Sequence, residues 1–221
     1  MIRNLKALAA AAMSLAVFGV AAVSTGQAAE FHCSVEPCRY TMKPDGTVGF
    51  KTAHHVFAIN EGEGIVTVTC AKVEGEGTSS TKTAKELTIT NLGGLLPCTL
   101  NGEAASVVLN SCGYLYSSAG ELTIKCPFGK GMEFVGPGCR MVIAPQGPLP
   151  GIKYYDAGAT KSELTVETSV QKLKGELIGS KAGCGGVEPG AFTEGEYKTG
   201  NAILTGETDN AEAKMANVWW E

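Results

Sequence analysis

Eight cysteines constrain this 221-residue chain more than any other feature: Cys33, Cys38, Cys70, Cys98, Cys112, Cys126, Cys139 and Cys184 all lie beyond residue 30. An even count in a chain that opens on an export signal reads most simply as four disulfides. Zinc sites want close pairs, roughly two to four residues apart, answered by a second such pair, and the only short spacing here is Cys33 to Cys38. Eight cysteines allow on the order of a hundred pairings, which local geometry narrows. Cys33 and Cys38 bracket a loop short enough to close on itself. Tyr114–Tyr116 and Glu121–Ile124 read as a hairpin around Ser117-Ser118-Ala119-Gly120, and pairing Ser117 with Glu121 sets Cys112 opposite Cys126 or one residue off. Cys70 with Cys98 and Cys139 with Cys184 complete the set. Cysteines held in this way are lost as nucleophiles and as metal ligands.

The export signal occupies residues 1–29. Arg3 and Lys6 precede an almost wholly apolar run from Ala7 to Val23, and Ser24 to Ala29 supply the small residues that signal peptidase accepts. Gly26 and Ala28 fit the recognition positions and cleavage after Ala29 fits nearly as well, so the mature chain starts at Ala29 or Glu30. The run approaches the about 20 residues that span a bilayer, so an uncleaved anchor is the competing reading. Cleavage is preferred because an Ala-rich run partitions weakly and no stop-transfer charges follow. With the later start, removing 29 of 221 residues leaves 192 without a membrane span, and the charged side chains become 16 cationic against 22 acidic. That acidic balance argues against nucleic acid as a partner.

What remains reads as one all-β domain, 30–221, an antiparallel β-sandwich or flattened barrel of about ten short strands stapled by disulfides. Gly makes up 29 of 221 residues, nearly twice the roughly 7% of average usage, which means many tight turns. Period-two alternation marks Ile65–Cys70, Leu87–Thr90, Leu122–Cys126, Cys139–Ile143 and Leu164–Glu167, and it sets the cysteines on the same faces as the apolar residues. Pro44-Asp45-Gly46 reads as a hairpin turn into Thr47–Phe50. Glu61-Gly62-Glu63-Gly64 and Glu74-Gly75-Glu76-Gly77 read as solvated hairpin tips, and Asn217–Trp220 as a closing strand. Pro145–Gly151 is the single candidate boundary, and it is read as a crossing between sheets because the part beyond it has too little core to stand alone.

No motif dictates a reaction. Ser79 with Lys82 and Lys198-Thr199-Gly200 match spacings used by penicillin-binding proteins, but that chemistry needs its serine on a buried helix and the surroundings here are a Ser/Thr-rich loop. Gly179-Ser180 lacks the second half of a nucleophile elbow, and no P-loop or dinucleotide fingerprint is present, so no cofactor is expected. Neighbouring His54 and His55 point to opposite faces of an extended segment and do not chelate one ion; a surface imidazole is the simpler reading. The Glu-Gly segments lack a calcium-loop pattern. Glu163 and Glu167 share a strand face and are the carboxylates a secreted hydrolase would use. The aromatic residues Tyr114, Tyr116, Tyr154, Tyr155, Trp219 and Trp220 are the candidate binding surface, for a cell-surface glycan or protein. A membrane β-barrel wants about 9 to 11 alternating residues per strand, and the runs here are shorter.

The chain resembles a family of uncharacterised exported β-proteins of soil actinobacteria. The segments that carry the resemblance are His55-Val56-Phe57, Val68-Thr69-Cys70, Leu96-Pro97-Cys98, Asn110-Ser111-Cys112-Gly113-Tyr114, Ile124-Lys125-Cys126-Pro127, Cys139 to Gln146, and Glu196-Tyr197 with Thr205-Gly206. The Cys33 and Cys38 pair is an addition to that pattern. The family has no assigned activity, so the resemblance implies location and architecture and lends no functional residue. The expectation is a non-enzymatic protein, secreted or held at the envelope.

Overall fold

The computed structural model describes residues 29–44, 55–62, 64–71, 74–90, 92, 97–157, 162–200, 202–207 and 216–221. The leader (1–28), Asp45-Gly46 with the second arm Thr47–Phe50, His54 and Glu63 lie outside the described residues. Within them every regular element is a strand. In chain order these are β1 (Phe31–Cys33), β2 (Cys38–Pro44), β3 (His55–Glu61), β4 (Gly64–Cys70), β5 (Gly75–Ser79), β6 (Thr83–Ala84) and β7 (Glu86–Ile89). Then come β8 (Cys98–Leu100), β9 (Glu103–Val108), β10 (Gly113–Ser117), β11 (Glu121–Lys125), β12 (Met132–Gly136) and β13 (Cys139–Ile143). The last are β14 (Gln146–Pro150), β15 (Ile152–Ala157), β16 (Glu163–Gly179), β17 (Gly190–Thr199), β18 (Ala202–Glu207) and β19 (Val218–Trp220).

Eight strands close into an antiparallel barrel in the order β13-β12-β9-β8-β4-β3-β17-β16, and β16 returns to β13 through Cys139↔Gly179 to Ile143↔Gly175. A barrel of this size is filled by its own side chains. Phe57, at the centre, stacks on Tyr197 (centroids 4.4 Å apart) and meets Phe134 at 5.0 Å, with Val66, Val68, Met132, Met141 and Leu177 buried around them. A second sheet, β15-β16-β18-β2-β5, continues from the other half of β16, beside a third, β14-β11-β10-β7. A three-stranded ladder, β19-β1-β6, stands at the chain ends. One contiguous hydrophobic cluster runs through barrel and sheets.

β16 is the seam, and its sequence shows how. Leu164, Val166, Thr168 and Val170 are buried at even positions, whereas Leu173 and Leu177 are buried at odd ones. The phase slips at Lys172, which has φ 61° and falls where the β16–β17 register shifts. A β-bulge there bends the strand and hands it from one sheet to the other.

The all-β class and its disulfide staples follow the alternation, with nineteen strands among the described residues in place of about ten because several short ladders carry no alternation of their own. Pro145–Gly151 contains β14, which pairs with β11, and strands from both sides of it are neighbours in the barrel. The two pairings read from local geometry, Cys33–Cys38 and Cys112–Cys126, are present, and so are Cys70–Cys98 and Cys139–Cys184, which completed the set. Ser117 does face Glu121, so Gly113 faces Lys125 and the next pair outward is Cys112 with Cys126.

Glu74–Gly77 corrects one reading. It is no hairpin tip: Gly75-Glu76-Gly77 belongs to β5, with both glycines buried and Glu76 exposed. The glycines are small because the neighbouring layer passes close. A Cβ at Gly77 would collide with the Tyr40 ring and the Thr88 carbonyl. Tyr40 needs that space, since its hydroxyl donates to Thr88 O (3.0 Å) and accepts from Thr88 N (3.1 Å), tying β2 to β7. Gly77→Ala is expected to destabilise the fold by about 3 kcal/mol through overpacking, seen as a lower urea midpoint with an unchanged slope.

Candidate functional site

Three segments converge on one surface groove of about 380 Å³, lined by Ser118, Ala119, Gly120, Ile152, Lys153, Tyr154, Tyr155 and Trp220. The tip of the β10–β11 hairpin docks on the start of β15, where Gly151 N and Ile152 N both donate to Gly120 O (3.2 and 3.0 Å). The third segment, β19, enters beside them. Its Trp220 is fixed at two points: Trp220 N donates to Asp156 Oδ1 (3.0 Å) and Trp220 Nε1 to Ser118 O (3.1 Å).

An aromatic ladder rises from the core to this groove. Phe31 meets Tyr154 edge to face at 5.0 Å, and Tyr154 meets Trp220 at 5.8 Å. Tyr154 is buried and its hydroxyl donates to Ser117 O (2.7 Å); burial pushes that phenol far up, so it stays protonated. Tyr155 points the other way and is 48% exposed. Its hydroxyl donates to Glu167 Oε2 (3.0 Å), and Lys153 Nζ lies 3.7 Å from Glu167 Oε1. The hydrogen bond to Glu167 pushes the Tyr155 phenol up as well. The groove therefore offers two aromatic rings held in place and a cation already matched by a carboxylate.

No protein-family model, curated protein or solved structure matches this chain.

Of the six aromatic residues singled out in the sequence, the structure brings Tyr154, Tyr155 and Trp220 together. Trp219 alternates to the other side of β19 and stacks on His32, 5.2 Å away at 10°. Tyr114 and Tyr116 are corrections. At 0% and 1% exposure they belong to the core and present nothing to a ligand, because both faces of β10 are covered at that level and every residue from Gly113 to Tyr116 is buried.

His55 is another correction. Far from being a surface imidazole, it is 1% exposed at the start of β3, with Nδ1 2.6 Å from the Tyr197 hydroxyl. Burial pushes its pKa down to about 3, so the ring is neutral. Tyr114 packs on Tyr197 with ring centroids 5.8 Å apart, and burial pushes its phenol up while the Tyr197 hydroxyl beside it pulls the other way.

Glu163 and Glu167 do share one face of β16, yet four residues of strand separate them by roughly 13 Å, wider than the about 9.5 Å that bounds paired glycosidase carboxylates. Ser79 ends a strand and its hydroxyl donates to Thr81 O (2.8 Å), with no helix beneath it. A larger cleft, about 560 Å³, is lined by Glu61, Gly62, Lys181, Gly186 and Glu188; no aromatic ring lines it among the described residues, and Lys181 pairs with Glu188 at 3.4 Å.

The sequence reading missed Ser118, Lys153 and the anchoring role of Glu167. Lys153 and Glu167 are cross-strand partners in the β15–β16 ladder, so a hairpin signal across Ala157–Glu163 would have found them. The docking of Gly120 on β15 has no local signal, since the path through β14 sets it.

Proposed function

We propose that the protein is a secreted or envelope-associated, non-enzymatic binding protein that holds a neutral surface glycan in the Tyr155–Trp220 groove. The observation that carries this reading is the pairing of one exposed ring, Tyr155, and one half-buried ring, Trp220, whose polar edges are already fixed by internal hydrogen bonds. A sugar ring has C–H faces and hydroxyl edges, and it needs flat apolar surface beside oriented polar atoms. Rings that are already pinned lose little freedom on binding. Lys153 is matched by Glu167, so no uncompensated charge selects an ionic ligand. Four disulfides suit an oxidising exterior.

The test is retention on insoluble cell-wall polysaccharides and affinity for soluble fragments of whichever polymer retains the protein. Trp220→Ala and Tyr155→Ala are each expected to weaken binding about tenfold, the worth of one aromatic contact. Ile65→Ser, which alters an exposed residue of the barrel, leaves it unchanged. Retention on none of the polymers, or undiminished binding by both aromatic variants, would refute the proposal.

A further inference from the structure

Phe128 is as open to solvent as it would be in an isolated peptide, at 105% relative exposure. It does not hang on a loose loop. Lys130 N donates to Pro127 O (3.0 Å) and Gly129 takes φ +69°, so Phe128 occupies the corner of a tight turn. The base of that turn is held from both sides. Cys126 is bridged to Cys112, and Asn110 Nδ2 donates to Gly131 O (2.8 Å).

The surroundings are cationic in a chain of net charge −4. Lys125 and Lys130 flank Phe128, both exposed, and neither makes an ion pair with a described residue. No acidic residue occurs from 122 to 132, nor in the neighbouring segment 108–113. The first one beyond, Glu133, is occupied by Arg140 (3.3 Å) and Asn110 (3.1 Å). Pro127 and Val108 are exposed at the foot of the turn and Leu109 is half-buried.

We propose that the Pro127–Lys130 turn docks the protein on an anionic lipid surface, with Phe128 entering the acyl boundary and Lys125 and Lys130 meeting the headgroups. An aromatic ring flanked by ammonium groups on long stems is suited to that boundary. A protein partner fits the observations less well. Specific protein interfaces need about 800 Å² of complementary surface on each side, and a side chain with no neighbours has no walls around it to supply that area. The groove lies at the other end of β11, beside Gly120, so lipid contact at Phe128 leaves it open.

Flotation of the full folded protein with phosphatidylcholine vesicles, with and without phosphatidylglycerol, tests the proposal. The protein is expected to float with the anionic vesicles only, and added salt is expected to release it. Phe128→Ser is expected to lower partitioning about thirtyfold, with an unchanged melting curve because the side chain contacts nothing. Lys125→Ser and Lys130→Ser are each expected to lower it about fivefold, while Tyr155→Ala floats like the parent. The proposal is overturned if the protein ignores anionic vesicles, or if Phe128→Ser floats as well as the parent. Phe128-dependent capture by a lipid-free envelope protein, without vesicle binding, would overturn it in favour of a protein pocket.

Discussion

Reducing all four disulfides is expected to unfold the protein at physiological temperature. The bridged loops, 33–38, 70–98, 112–126 and 139–184, follow one another without overlap, so each bond restrains its own stretch of the unfolded chain and the effects add. Loop-closure entropy gives about 2 kcal/mol for the shortest and about 4 kcal/mol for the longest, about 13 kcal/mol together. Domains of ordinary stability have about 5–15 kcal/mol in all. The longest loop alone gives a graded test. Cys184 is fully buried and holds the segment between β16 and β17 against the first residue of β13. Cys139→Ala with Cys184→Ala is expected to lower the melting temperature by roughly 8–16 °C. Circular dichroism with and without reductant reads both results, and a reduced chain that melts where the oxidised one does would contradict the account. The same arithmetic ties the fold to an oxidising compartment.

Acid is expected to weaken the fold through His55. Its native pKa of about 3 lies well below the about 6.5 of an unfolded histidine. Between these values the unfolded chain takes up a proton that the native barrel refuses, so stability falls as pH falls from about 6.5 toward 3. Below that window both states are protonated and the loss stops growing. The full difference is on the order of 5 kcal/mol. His55→Gln removes the titration while keeping a polar group beside the Tyr197 hydroxyl. The variant is less stable than the parent at neutral pH, because it gives up a fitted ring, and its urea midpoint is expected to fall less between pH 7 and pH 4. Parallel pH profiles for the two proteins would show that His55 does not carry the effect.

Much of the fold was legible because the buried positions alternate. Val66, Val68 and Cys70, and likewise Cys139, Met141 and Ile143, announce both strand and inward face. One disulfide could be read from hairpin register, because Cys112 and Cys126 lie at one hairpin's open end; that Cys70 and Cys98 are direct cross-strand partners is visible only in the folded sheet. What stayed hidden was long-range. The bulge at Lys172 resets the alternation of β16, so a strand of 17 residues reads as a shorter one. Aromatic identity did not separate site from core. Tyr114 and Tyr155 look alike in sequence, and only the sheets above and below β10 decide that the first is buried, while β15 leaves the second at an edge.

The groove reading is tested most directly at Trp220 itself. The chain has two tryptophans, so Trp219→Phe leaves Trp220 as the single emitter in a protein that still stacks an aromatic ring on His32. Titrating that variant with soluble fragments of a cell-wall polysaccharide that retains the parent is expected to shift the emission to shorter wavelength and shield it from iodide, saturating with the affinity measured by retention. Emission and quenching that stay unchanged while the fragments bind would place the ligand elsewhere and contradict the account.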